Sequence, residues 1–286
     1  MTNKLCVITG ANSGIGFETG KELARQGAFI VMVCRNEDKA LEAKQEIMAD
    51  TEGSGVDIIL CDFSSQDDIR RAAKEIISRY EKIDLLINNH GFVAAKYNET
   101  IEGLEETFGV NHIGYFLFTN LLLDNIKAAG KARIINVASD AHKSGKFDPE
   151  NLQLKNNFST WKAYANSKLY NILFTLELAD RLKGTGVTAN CLHPGVINSN
   201  FGSKSTTLVK IFWKLAAPFM KSNKEGAQTT IYLATSDEVE EVNGAYFKDS
   251  KVATPANIAF DKEAAELLWE KSSELSAQDV NLHIDL

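Results

Sequence analysis

The sequence predicts an α/β protein built on one doubly wound parallel sheet. Three observations carry this. Short apolar runs of strand length alternate with segments of helical periodicity from Leu5 to Leu275. A glycine-rich turn, Thr9-Gly10-Ala11-Asn12-Ser13-Gly14-Ile15-Gly16, joins the first apolar run to the first helical segment. No repeat, low-complexity stretch or interior linker breaks the alternation, so residues 1–286 are expected to form a single domain.

Composition narrows the class further. Hydrophobic residues make up 44% and charged residues 24% of the 286, an ordinary globular balance. The net charge of −7 argues against nonspecific nucleic-acid binding. Cys6, Cys34, Cys61 and Cys191 each fall in or at the end of an apolar run. They read as small buried residues, neither bridged nor metal-ligating, which fits a reducing, cytoplasmic setting. A strand-like run begins by Leu5, so no signal peptide is expected, and no apolar run approaches the roughly 18 residues of a membrane span.

Leu5 to Thr9 is continuously apolar, as a strand buried on both faces should be. The glycine turn follows, then a helical pattern closed by Gly27. Strand, glycine turn and helix start together make a phosphate site: glycines let the backbone approach, and the helix N-terminus offers N–H groups and a positive dipole end. The glycine spacing is 4 then 2, which departs from G-x-G-x-x-G.

Ala28 to Cys34 reads as the second strand. A carboxylate near this strand's end would mark a ribose 2′-hydroxyl; Cys34 stands there instead, and Arg35 follows. A guanidinium without the acid favours a 2′-phosphate, hence NADP(H) over NAD(H), although Glu37 and Asp38 lie close. Ile58 to Cys61 is a third strand followed by Asp62, which either accepts from an adenine amino group or caps the turn. A helix after Ser64 or Ser65 shows the core stripe Ile69, Ala72, Ala73, Ile76, Ile77 and Tyr80. Ile83 to Ile87 is the fourth strand and runs into the polar turn Asn88-Asn89-His90-Gly91 at the expected ligand crevice.

Leu104 to Ile126 reads as one long helix carrying Asn111 among apolar neighbours. Arg133 to Ser139 is the fifth strand, and Asp140 to Thr160 reads as a polar loop shaping a pocket mouth. A helix then carries Tyr164 and Lys168, four apart and therefore on one face. An ammonium beside a phenol favours the phenolate and should lower the tyrosine pKa from about 10. Val187 to Leu192 is the sixth strand, followed by His193-Pro194-Gly195. Residues 204–221 are apolar with lysines as the only charges, Lys210, Lys214 and Lys221 sharing one helical face. This stretch reads as part of a substrate lid over about 196–222, or as a peripheral membrane contact, or as core. A helix over Ala227 to Thr235, a short strand over Ala245 to Phe247 and an amphipathic helix over Asp261 to Leu275 complete the chain, with residues 255–286 forming a C-terminal helix and tail.

Taken together, Thr9-Gly10-x-x-x-Gly14-x-Gly16, Asp62, Asn88-Asn89-x-Gly91, Ser139 with Tyr164-x-x-x-Lys168, and Pro194-Gly195 resemble the short-chain dehydrogenase/reductase family over roughly residues 3 to 250. Cys34-Arg35-Asn36, Gly109-Val110-Asn111-His112 and the run from Ala165 to Phe174 resemble its retinol dehydrogenase-like and WW-domain-oxidoreductase-like subgroup. The resemblance implies a Rossmann fold. It implies a catalytic set of Asn111, Ser139, Tyr164 and Lys168. It implies cofactor contacts from Gly10, Asn12, Ser13, Gly14, Ile15, Gly16, Arg35, Asn36, Asp62, Phe63, Asn89, His90, Gly91, Tyr164, Lys168, Pro194, Gly195, Ile197 and Ser199.

By the same resemblance the activity is hydride transfer between NADP(H) and an apolar carbonyl or alcohol of retinal, steroid or lipid-aldehyde type. Tyr164 is its acid/base, Asn111 holds a relay water, and a homo-oligomer is common. Two rivals remain: a cofactor-binding sensor or scaffold, and a reductase of a quinone or pigment-like double bond. His90 replaces a usually small residue, and Ser199 stands where a cofactor-binding threonine is usual. Phe147, Trp161, Phe201, Phe212 and Trp213 near the expected mouth suggest an apolar substrate.

Overall fold

The computed structural model describes residues 1–51, 55–196 and 221–277. Eight strands form one sheet: β1 (Leu5–Thr9), β2 (Phe29–Cys34), β3 (Val56–Leu60), β4 (Leu85–Asn88), β5 (Ala132–Val137), β6 (Val187–His193), β7 (Tyr246–Lys248) and β8 (Lys251–Ala253). Their order is β3-β2-β1-β4-β5-β6-β7-β8. All neighbours are parallel except β7 and β8. The expected doubly wound sheet is therefore present, with an added antiparallel edge. The order reverses between β1 and β4, which opens a crevice at the strands' C-terminal ends.

The helices are α1 (Gly14–Arg25), α2 (Glu37–Ala49), α3 (Gln66–Arg79), α4 (Glu106–Phe108), α5 (Gly114–Leu121), α6 (Leu123–Lys127), α7 (Thr160–Arg181), α8 (Asn223–Thr235) and α9 (Lys262–Leu275). Alternation along β1 and β2 sorts the core into two layers. Val7, Val31 and Val33 pack with Ile69, Phe116, Phe118, Phe174 and Trp269 on one face. Cys6, Ile8, Ile30 and Met32 pack with Leu23, Ala40, Ile47 and Leu233 on the other. Most of these strand residues are fully buried, as a parallel sheet covered on both sides requires.

Caps fix several helix starts. Asn36 Oδ1 accepts from Lys39 N at 2.9 Å to open α2. Ser65 opens α3, Asp261 opens α9, and Ser222 with Glu225 makes a reciprocal capping box on α8.

The structure corrects the single helix expected over Leu104 to Ile126. It begins at Glu106, is widened by a π turn over Gly109–Ile113, and breaks at Leu122 between α5 and α6. A π turn adds one residue to a turn, and Asn111 sits inside it. Two elements were not read from the sequence, α2 and β8. The buried stripe of α2 consists of Ala40, Ala43 and Ile47 alone. All of the 204–221 stretch except Lys221, and with it the lid and membrane readings, lies outside the described residues, as do Ile197, Ser199, Phe201, Phe212 and Trp213. Among the described residues, no helix is long and apolar enough to cross a membrane.

Candidate active site

The glycine turn continues β1 and is tied to its neighbours by hydrogen bonds. Gly10 N donates to Val33 O at 2.8 Å. Asn89, just past β4, donates through Nδ2 to Thr9 O at 2.9 Å, while its own N–H and that of His90 donate to Thr9 Oγ1 at 2.8 and 3.1 Å. Gly10 and Gly14 have φ of +66° and +61°, a region that favours glycine. A Cβ on Gly16 would lie 2.4 Å from Asn89 Nδ2 and 2.5 Å from Gly10 O, so the helix start needs glycine there. A Cβ on Gly14 would meet nothing within 4 Å, which leaves room for a phosphate beside the first turn of α1. Ser13 is the N-cap of α1, but its side chain makes no capping bond. A dinucleotide fits this cradle. The buried Cys34 thiol accepts bonds from the Ala11 and Asn12 backbone, and burial pushes its pKa up to about 11.

Across the ends of β2 and β3, Arg35 Nη1 lies 3.7 Å from Asp62 Oδ2. Arg35 is largely exposed, so this pair adds little stability and leaves the guanidinium accessible. Asp62 also accepts from Ser64 N at 3.0 Å and Ser64 Oγ at 2.8 Å, so it holds its turn as well as facing Arg35. Asn36 is engaged as the cap of α2. The Phe63 ring is buried and stacks on His90 with centroids 3.7 Å apart.

His90 also faces inward. Nε2 lies 2.8 Å from Val110 O, which can only accept, so Nε2 carries the proton. Nδ1 lies 3.1 Å from Thr9 Oγ1, and the Tyr115 ring meets the imidazole edge-on at 4.8 Å. Burial holds its pKa down at about 3, so the ring is neutral. His90 thus joins the glycine turn to the π turn that carries Asn111.

Asn111 is fully buried. Its amide donates to Phe92 O at 2.9 Å and Ser167 Oγ at 3.1 Å, and its Oδ1 accepts from Phe92 N at 2.7 Å. Both amide donors are used, so the side chain braces the loop after β4 against α7.

Lys168 is buried on α7, and its Nζ donates to Val137 O at 3.0 Å. That Nζ lies 5.7 Å from the centre of the Tyr164 ring and 5.8 Å from that of Tyr115. Burial lowers the lysine pKa from 10.5 to about 7. Tyr164 is half-buried and makes a side-chain hydrogen bond with Ser139. Burial raises its pKa above 10 and the Ser139 bond pulls against that rise. The sequence argument expected the lysine to lower the tyrosine pKa. In the protein burial is the larger influence on Tyr164, with the Ser139 bond opposing it, and burial also lowers the pKa of Lys168.

Ser139, two residues beyond β5, accepts from Ala141 N at 3.2 Å and caps a short 3-10 turn, Asp140–Ser144. Across the cleft, Pro194 and Gly195 leave β6, with Gly195 at φ +100°. Lys221 N donates to Val196 O at 2.9 Å, and the Lys221 side chain fills the space beside Gly195. At the rim, Trp161 is 57% exposed with its ring 6.4 Å from that of Tyr164, whereas Phe147 is tucked against Tyr170.

The structure therefore gathers the glycine turn, Asn89, His90, Ser139, Tyr164, Lys168 and Pro194-Gly195 along one sheet edge. Sequence reasoning missed Thr9 as the hydroxyl that receives the Asn89 turn; its place at a strand end beside glycine was the available signal. It also missed a buried ladder in which Asn88 Nδ2 donates to Thr119 Oγ1 and Asn136 Oδ1, both at 2.8 Å, and Asn136 Nδ2 donates to Thr175 Oγ1 at 2.9 Å.

A family profile described as short chain dehydrogenase matches residues 4–208. Retinol dehydrogenase 12 of Mus musculus is 44% identical over 272 residues, which cover 95% of this chain and 86% of that protein. Retinol dehydrogenase 13 of Homo sapiens is 43% identical over 282 residues, covering 95% and 84%. An uncharacterised protein of Mycobacterium paratuberculosis superposes with a TM-score of 0.79 at 31% identity, over 97% of this chain and 94% of its own. A blue fluorescent protein from a metagenomic library, solved in complex with NADPH, superposes with a TM-score of 0.69 at 25% identity, over 86% and 96%. The chain belongs to the short-chain dehydrogenase/reductase family of oxidoreductases, which use nicotinamide cofactors. Within that family it falls in the retinol dehydrogenase-like subgroup.

Proposed function

We propose that this protein is an NADP(H)-dependent oxidoreductase that interconverts an apolar carbonyl compound and its alcohol, with Tyr164 as the acid/base. The substrate class is a retinoid, steroid or lipid-derived aldehyde or ketone. The observation that carries the reading is the Ser139–Tyr164 hydrogen bond beside the buried Lys168, at the same sheet edge as the glycine turn. The identity to retinol dehydrogenases supports the substrate class. The exposed Arg35 at the end of β2, where a carboxylate would mark NAD(H), supports the choice of NADP(H). The buried free cysteines support a reducing compartment such as the cytoplasm.

When bound, the nicotinamide supplies the hydride. The rest falls to this chain. Tyr164, with its pKa raised, is protonated at neutral pH and donates to the substrate oxygen during reduction. Ser139 donates a hydrogen bond to the same oxygen and stabilises its growing charge. Lys168, with a pKa of about 7, exchanges protons readily at working pH and restores the tyrosine proton. Asn111 holds the π turn and Ser167 in place, and a water beside that turn links Lys168 to solvent. Gly10, Gly14 and Gly16 would admit the pyrophosphate, and Pro194-Gly195 would face the nicotinamide.

The test is turnover of NADPH and NADH with a panel of aldehydes and ketones, from short aliphatic to retinal, alongside Tyr164→Phe. Tyr164→Phe should lose at least about a hundredfold in kcat while NADPH Kd stays within about twofold. Near wild-type turnover in that variant would end the assignment of Tyr164, and a lower KM for NADH than for NADPH would end the cofactor preference. Tight NADPH binding without turnover across the panel would favour a sensor.

A further inference from the structure

Asp140 directly follows Ser139 and opens the 3-10 turn. Its carboxylate gathers partners from three places in the sequence. Oδ1 accepts from Tyr246 Oη at 3.0 Å and lies 2.9 Å from Lys143 Nζ. Oδ2 accepts from Lys248 Nζ at 2.7 Å and lies 3.7 Å from His193 Nε2. Tyr246 and Lys248 begin and end β7, while His193 ends β6 immediately before Pro194-Gly195. The two strands are in register there, with Cys191 opposite Tyr246 and His193 opposite Lys248. One carboxylate therefore joins the Ser139 turn to the two strand ends that carry the opposite wall of the cleft.

A second tie acts on the same turn. His142 Nδ1 donates to Ser139 O at 2.6 Å, and its Nε2 accepts from Ala256 N at 3.0 Å. Tyr246, Lys248 and Ala256 each lie more than a hundred positions downstream of the turn residue they bind. Burial alone would raise the Asp140 carboxyl, but hydrogen bonds from Lys248 and Lys143 hold it well below the usual carboxylate range. A charge-assisted bond of this kind is stronger and more directional than a neutral one. A misplacement of about 1 Å in a catalytic group can lower a rate about a hundredfold.

We propose that Asp140 is a positioning residue: through Lys248 and Tyr246 on β7, which pairs with the end of β6, it fixes the Ser139 hydroxyl relative to the Pro194-Gly195 turn. This rests on the reductase reading, in which Ser139 must meet the substrate oxygen while Pro194-Gly195 borders the nicotinamide. Asp140 does not touch the reacting atoms itself. Its effect belongs in kcat, not in cofactor affinity.

Asp140→Asn keeps shape and removes the charge; Lys248→Met removes the shortest donor. Each should lower kcat by about tenfold or more, with NADPH Kd within about twofold of wild type. The double variant should fall no further than the worse single one, because both break the same link. Hydrogen exchange of the cofactor-free protein gives a readout that needs no substrate. Amides of residues 138–144 should exchange faster in Asp140→Asn while those of α7 keep their protection.

Unchanged exchange over 138–144 would overturn the clamp. Faster exchange with unchanged kcat, or additive losses in the double variant, would overturn the positioning role. So would a parallel loss of NADPH affinity and melting temperature, which marks a merely structural residue. Absence of wild-type turnover would overturn the reductase reading and the catalytic half of this proposal, and exchange would then decide the clamp alone.

Discussion

Lys168 is held near the midpoint of its titration by burial alone. That has a consequence for stability. Its folded pKa is about 7 against 10.5 for the free side chain, so between those values the unfolded chain binds more protons. The desolvation penalty is full below about pH 7 and is relieved as pH rises toward 10.5. Lys168→Met, which removes the titrating group, should gain most in melting temperature over wild type at pH 6, and the advantage should shrink by pH 9. A difference that stays constant with pH in the cofactor-free proteins would contradict the burial account. At this scale the sequence was informative about geometry and poor about energetics. Spacing of four put Tyr164 and Lys168 on one helical face. It could not weigh their attraction against desolvation, which depends on Val137, Tyr115 and the strands that close over them. Nor could it bring Asp140 to Tyr246 and Lys248, which lie 106 and 108 residues away.

Elements carry the cradle. The first turn of α1 presses so closely on the Asn89 turn that Gly16 has no room for a methyl group. Gly16→Ala should force backbone apart, cost about 1–3 kcal/mol of stability and weaken NADPH binding as well. Denaturant melts with and without NADPH would check both; retained affinity would mean the helix start can shift without harm. Strands and most helices were legible because buried parallel strands read as unbroken apolar runs and amphipathic helices as stripes. The π turn was not, since one extra residue at Gly109–Ile113 leaves the apolar pattern of a long helix nearly intact. β8 was not legible either: three residues, two of them exposed, make no periodic signal. In α2 two of the three buried residues are alanines, too small to mark a face.

For the whole molecule, α9 completes one face of the core. Trp269 is buried between Phe116 at 4.9 Å and Phe174 at 5.8 Å, and the Arg181 guanidinium lies 4.3 Å from its ring. His112 Nε2 lies 2.8 Å from Ser272 Oγ, and Gln66 Nε2 donates to Leu275 O at 2.9 Å, across 209 residues of sequence. Trp269→Ala should cost about 3–5 kcal/mol, read from urea midpoints, with the Tyr164 site left chemically intact. A loss under about 1 kcal/mol would mean that α9 is an appendage to a core already complete without it. The parallel order and the crevice at β1 and β4 followed from the alternation of elements. The seat of α9 did not, because its stripe of Ala264, Ala265, Leu268 and Trp269 says that it packs somewhere and leaves the partner open.

The late position of α9 bears on synthesis. A ribosome delivers β1 through β7 and the whole Tyr164 helix before residues 262–275 emerge. Until then Phe116 and Phe174 lack the indole that covers them, and the nascent chain presents an aromatic face to the cell. A message cut short just after β8 would yield a product with Asn111, Ser139, Tyr164 and Lys168 all present and that face still bare. Such a product is a target for chaperones and proteases, so loss of α9 would reach the cell as low abundance before it reached it as lost chemistry.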